Sequence, residues 1–155
     1  MEVEEFKKKY LQIGKRHKLP SFDELNLDFE IDKLDKDSDN LLRAIRKIMM
    51  EKIVNSMGFL EMLVNPVNAP RMYIPYVRTM SVEDKKIIDE IYSSLAELSV
   101  LSLELEIYSG EGEEAVLINS VFEKWKEIKP KFRQILKSMK APRNFSEKKE
   151  RSYFG

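Results

Sequence analysis

The residues whose types and spacing could bind a metal ion lie in the run Asp35-Lys36-Asp37-Ser38-Asp39. Alternating carboxylates of this kind surround the calcium ion in the first half of an EF-hand loop. That loop also requires a glycine at its sixth position and a bidentate Glu at its twelfth, where this chain has Asn40 and Arg46. The run therefore indicates capping of the helix that follows it, and we expect no metal ion there.

Carboxylate pairs for acid–base catalysis could come from two groups of glutamates. The first group is Glu97, Glu104 and Glu106, and the second is Glu111, Glu113 and Glu114. In a chain with 27 Asp and Glu residues such groups arise by chance. We therefore expect a protein without catalytic activity and without a cofactor.

Histidine and cysteine chemistry is restricted by composition. The chain has no Cys and a single His, so it lacks thiolate nucleophiles, cysteine metal sites and histidine pairs. A dimetal bundle would need a Glu-x-x-His motif, but Gly14 stands three positions before His17. Because His17 lies among Lys15, Arg16 and Lys18, we expect a solvated surface imidazole.

Charges cancel in total but are sorted into blocks of one sign. Residues 81–114 hold ten acids against Lys85 and Lys86, whereas residues 115–155 hold eleven bases against four acids. Such sorting favours either docking of opposite faces within the molecule or binding of a charged partner.

Basic residues interleaved with aromatic ones are typical of nucleic-acid binding. The candidate residues for phosphate contacts are Lys129, Lys131, Arg133 and Lys137. However, Trp125 and Phe132 fall on a stripe predicted to be buried, and a net charge of zero argues against a dedicated nucleic-acid binder. We favour pairing of this face with the acidic helix, and binding of nucleic acid is the alternative.

A segment with three prolines, residues 65–80, is predicted to be a crossing loop. It carries a candidate interface of aromatic, aliphatic and basic side chains: Arg71, Met72, Tyr73, Ile74, Tyr76 and Arg78. Tyr, Met and Arg are enriched in protein–protein interfaces. The sequence therefore predicts a protein–protein interaction module, with self-association as a dimer.

Apolar spacing of three and four residues predicts the helices that position these groups. One runs over 2–18, a short one follows the capping-box residues Ser21 and Glu24, and a core helix spans 41–64 with Arg43, Arg46 and Lys47 off its apolar stripe. Another begins after Ser81, and its apolar stripe continues through either Leu101 or Ser102.

Helical phase continues across Pro130, as one kinked helix or two nearly collinear ones, in the apolar residues Val121, Trp125, Ile128, Phe132, Ile135 and Met139. Leu101, Leu103, Leu105 and Ile107 alternate as in a strand, but a lone strand lacks a partner. We therefore expect an all-α fold, a bundle of four or five helices with a Pro-rich crossing loop, forming one domain over 1–142 before a charged tail at 143–155.

Four stretches carry a resemblance to known proteins. The chain resembles a group of small archaeal helical proteins in Leu19-Pro20-Ser21-Phe22-Asp23-Glu24-Leu25, in Asp28-Phe29-Glu30-Ile31, in the Leu41-Leu42-Arg43 opening of the long helix and in the Tyr-Phe-Gly ending. The resemblance spans most of the chain and implies an archaeal, cytoplasmic helical protein, but it brings no functional residues. The acidic start and the lack of a long apolar run also favour the cytoplasm.

Overall fold

The helices predicted from the sequence form an all-α bundle in the computed structural model, which describes residues 2–35 and 38–140, without the side chain of Asn68. Six α-helices occur in this range. They are α1 Glu2–His17, α2 Phe22–Phe29, α3 Leu41–Val64, α4 Ile74–Thr79, α5 Val82–Ile107 and α6 Glu111–Lys140. Short 3₁₀ turns lie at Ile31–Lys33, Pro66–Asn68 and Arg71–Tyr73. The predicted all-α bundle is confirmed.

Helices α3, α5 and α6 pack against one another and form the centre of the core. Ile45 and Leu60 of α3 are fully buried, as predicted for this helix. Helices α1 and α2 close one side of the bundle, where the rings of Phe6 and Tyr10 meet Phe22 edge to face. One hydrophobic cluster thus joins the described residues.

Side-chain caps set where two of the helices begin. The Ser21 hydroxyl accepts a hydrogen bond from the Glu24 N–H (3.2 Å), and the Glu24 carboxylate accepts one from the Ser21 N–H (3.1 Å). The predicted capping box is therefore present. Helix α3 is capped by Asn40, the residue directly after the acidic run, whose side chain accepts from the Arg43 N–H (3.2 Å).

The proline-rich segment is more regular than the crossing loop predicted from the sequence. It holds two 3₁₀ turns and α4, with Pro75 in the first helical turn. Proline is tolerated there because the N–H groups of a first turn have no partner within the helix. The prolines therefore mark the starts of short helices in this segment.

Three ambiguities of the sequence are resolved in the long helices. Residues 100–107 are helical, as we expected, and α6 is a single helix that continues through Pro130. In α5 the buried stripe runs through Ser102 and Leu105, whereas Leu101 is exposed. The predicted tail, 143–155, lies outside the described residues.

Candidate functional site

An arginine lies in the core, although the sequence placed it off the apolar stripe of α3. Arg46 is 1% exposed, and its Nε and Nη2 donate to the two carboxylate oxygens of Glu114 at 2.5 and 3.2 Å. Its Nη1 donates to the Ser102 hydroxyl (2.8 Å), and Nη2 also reaches Glu106 (3.0 Å). The expectation that Arg46 lies off the buried side of α3 is wrong, because α5 and α6 supply acceptors for it in the core.

Electrostatics in this cluster favour the ionised forms. Burial lowers the pKa of Arg46, but the hydrogen bonds to Glu114 and Glu106 together outweigh it and raise the pKa above its ordinary value. Hydrogen bonds from Arg46 and Arg43 hold the pKa of Glu106 below its usual range. Glu114 is fully buried and also accepts from the Ser109 hydroxyl (2.9 Å). Arg46 and Glu114 are covered from solvent, whereas Glu106 is 38% exposed at the edge of the cluster. The cluster therefore connects α3 with α5 and α6.

His17 is not the freely solvated imidazole that its basic neighbours suggested. Its Nε2 lies 2.9 Å from the Glu111 carboxylate, and its side chain is mostly covered. Arg16 donates to the same carboxylate at 3.2 Å. The His17 hydrogen bond, followed by the charge of Arg16, lowers the pKa of Glu111. The contact attaches the end of α1 to the start of α6.

The four candidate nucleic-acid residues do not form one free basic face. Lys129 pairs with Asp28 (2.6 Å), and Lys131 lies 4.0 Å from Glu90. Arg133 and Lys137 have no partner among the described residues and line one cleft with Trp125 and Phe132. Trp125 is buried and Phe132 is half-buried, so the rings pack into the core more than they face solvent.

The predicted interface segment is only partly available to a partner. Arg71, Met72 and Arg78 are exposed, but Tyr73, Ile74 and Tyr76 are half-buried. The Tyr73 ring meets Phe59 of α3 edge to face, with centroids 6.1 Å apart. The segment therefore buries much of its apolar surface against the bundle itself.

A larger exposed apolar surface lies where α5 and α6 meet. We call it the hairpin-end surface; its side chains are between 46% and 80% exposed, and they are Val100, Leu101, Leu103, Ile107, Tyr108 and Val116. Val100, Leu103 and Ile107 follow one another at three- and four-residue spacing, on the side of α5 away from its buried stripe. Leu101, Tyr108 and Val116 line a cleft between the two helices.

Sequence reasoning missed this surface, although its signal was visible. The strand-like alternation of Leu101, Leu103, Leu105 and Ile107, once placed on a helix, puts apolar side chains all round it. A helix that is apolar on every side is normally buried. Here only the side with Leu105 is covered.

Carboxylates lie next to the apolar side chains of the hairpin-end surface. Glu104 and Glu113 line the same cleft, and Glu97 precedes Glu104 by two helical turns. Within 2–35 and 38–140 none of these carboxylates has a cationic partner. No Lys or Arg occurs from Ile87 to Glu123. The surface therefore combines apolar side chains with unpaired negative charge, and Glu104 lies one helical turn from both Val100 and Tyr108.

In the described part of the chain, His, Asp and Glu side chains form no group of three or more suited to a metal ion. No helix in that part has the length and apolarity to cross a membrane. Comparison with models of protein families, with curated proteins and with solved structures found no significant match.

Proposed function

We propose that this chain is a non-catalytic helical interaction module that binds another protein through the hairpin-end surface. The observation that carries the proposal is the exposure of six large apolar side chains on adjoining parts of α5 and α6. Contiguous apolar surface of this kind on a water-exposed helix is typical of a protein–protein contact. None of the six belongs to the hydrophobic core of the described residues.

The segment from Arg71 to Arg78 is a second contact region within the same proposal. It has the residue types of an interface, and Met72 is 69% exposed. Its tyrosines are already packed against the bundle, so less apolar area is left for a partner. The hairpin-end surface is therefore the principal site.

A photocrosslinking amino acid at Leu103 tests this proposal. The matched control carries it at Val82, which is 85% exposed on the same helix but distant from the surface. In native lysate we expect a discrete protein adduct from position 103 that is absent from position 82 and survives nuclease treatment. Identical adducts from the two positions, or an adduct destroyed by nuclease, would contradict the proposal.

Nucleic-acid binding remains the second candidate function. The observation in its favour is that Arg133 and Lys137 lack partners among the described residues and lie on one cleft. Against it, Lys129 and Lys131 are engaged with Asp28 and Glu90. An accessory role would therefore depend on Arg133 and Lys137 more than on the two lysines.

A further inference from the structure

We infer that the hairpin-end surface takes a basic amphipathic helix of a partner protein, seated along the cleft between α5 and α6. The inference rests on the proposed function and specifies the chemistry of the partner. Its three supports are the shape of the cleft, the unpaired carboxylates beside it and the open space at Gly112.

The shape of the cleft suits a helix. Helices α5 and α6 are joined by a short turn and pack against each other along their length, which leaves a groove between their outer sides. Its volume is about 680 Å³, and its apolar lining comes from Leu101, Leu105 and Leu117. Amphipathic helices bind such grooves through apolar side chains at three- and four-residue spacing. Val100 and Ile107 are exposed within one helical turn of Glu104, which lines the groove, so a bound helix can extend its contact to them.

The charge of the partner follows from Glu104 and Glu113. They come from the two helices that form the walls of the cleft, and neither has a cationic partner among the described residues. A bound apolar partner would bury these carboxylates unpaired, which is costly, whereas lysine or arginine beside its apolar stripe would neutralise them. A second copy docked through the same face would bring acids against acids.

A glycine, Gly112, lines the cleft and has open space beside its Cα atom. It lies in the first turn of α6, lines the cleft, and has no neighbouring group within 4 Å of the position that a Cβ atom would take. A larger side chain can therefore enter the cleft without displacing the bundle. Gly58 in α3 is equally free of neighbours and provides a matched control.

The test uses three designed peptides of about 18 residues, or five helical turns, labelled with a fluorophore. One has a leucine stripe flanked by lysines, the second has glutamates in place of the lysines, and the third is a scrambled version of the first. Fluorescence anisotropy at about 0.15 M salt is measured with the wild-type chain, with Gly112→Leu and with Gly58→Leu. We expect binding of the lysine peptide alone, weakened about tenfold or more by Gly112→Leu and unchanged by Gly58→Leu.

Further variants separate apolar from ionic recognition. Leu103→Gln should weaken the lysine peptide several-fold, and the double variant Glu104→Gln, Glu113→Gln should both weaken it and flatten its salt dependence. Equal binding of the scrambled or the glutamate peptide would overturn the inference. So would sedimentation that shows a dimer dissociated by Leu103→Gln, because a second copy would then be the occupant.

The inference and the proposed function can fail separately. A protein adduct at position 103 without binding of the lysine peptide leaves the interaction module intact and removes the basic helix as its partner. If no specific adduct forms and Gly112→Leu leaves the affinity for the peptide unchanged, both the proposed function and the inference are wrong.

Discussion

Arg46 shows how a single residue can define the packing of three helices. Each of its donor nitrogens meets an acceptor, so the charge is buried without unsatisfied groups. A buried ion pair adds little net stability compared with apolar packing, but removing one of its partners strongly lowers the stability of the fold. The pair therefore fixes one alignment of α3 relative to α5 and α6, because another alignment would leave a charge unpaired.

A double-mutant cycle on this pair is the prediction at the residue scale. Arg46→Met should lower the free energy of unfolding by about 3–5 kcal/mol, since Glu114 would remain buried without its cation. Glu114→Leu should lower the free energy of unfolding by a similar amount. The double variant Arg46→Met, Glu114→Leu should recover most of that loss. Chemical denaturation followed by circular dichroism measures all three.

Arg43→Met is the control for this cycle. Arg43 pairs with Glu106 at 3.0 Å where both side chains are more than a third exposed, so its loss should matter much less. If the loss of stability in the double variant equals the sum of the losses in the two single variants, Arg46 and Glu114 do not stabilise each other.

Helix α3 is the element on which the fold depends most. Ile45 and Leu60 are fully buried at its two ends, whereas Val54 on the same helix is 51% exposed. Ile45→Asp or Leu60→Asp should unfold the chain, because an unpaired buried carboxylate costs several kcal/mol out of a total stability of about 5–15 kcal/mol. Val54→Asp should keep the wild-type thermal melt, and wild-type melts for all three variants would contradict the core position of α3.

Periodicity predicted the long helices, because the apolar residues of α1, α3 and α6 repeat at helical spacing. It did not predict α4, which lies in the segment expected to be a crossing loop. It could not decide between Leu101 and Ser102 in α5. Hydrophobicity favours Leu101, but Ser102 is buried since it accepts a hydrogen bond from Arg46, a residue 56 positions away. Long-range polar pairing of this kind leaves no local pattern, which is also why Arg46 was placed outside the core.

The candidate surfaces were predicted only in part for a related reason. The residue types of the Arg71–Arg78 segment indicated an interface, but only the fold shows that Tyr73 packs on Phe59. For the hairpin-end surface, the sequence shows apolar residues all round the end of α5. Which side the bundle leaves uncovered depends on how α3 and α6 pack.

On the scale of the whole molecule, nucleic-acid binding can be tested by its dependence on salt. If phosphates contact the cleft, each contact should add about 0.7–0.9 to the log–log slope of affinity against salt. The double variant Arg133→Ser, Lys137→Ser should then flatten the slope. Lys129→Ser, Lys131→Ser should alter it less and slightly lower stability, since these lysines already pair with Asp28 and Glu90.

We expect weak binding throughout, because only two of the four candidate cations are free within the described residues. Filter binding or anisotropy with unspecific RNA near 0.15 M salt provides the measurement. Submicromolar affinity that disappears in the Arg133, Lys137 variant would instead make nucleic-acid binding the better function.

Because α6 continues through Pro130, the charges at its two ends lie far apart. Its 30 residues form a rod of about 45 Å, with Glu111, Glu113 and Glu114 in the first turn and Lys137 and Lys140 in the last. These charges complement the helix macrodipole at both ends. Because the net charge is zero, the molecule neither attracts nor repels a distant ion as a whole. Within the described residues, the unpaired charges near the two ends of α6 are nevertheless of opposite sign, Glu113 in the first turn and Lys137 in the last. A charged neighbour within about a Debye length of 8 Å is therefore attracted to one end and repelled from the other before any surface is touched.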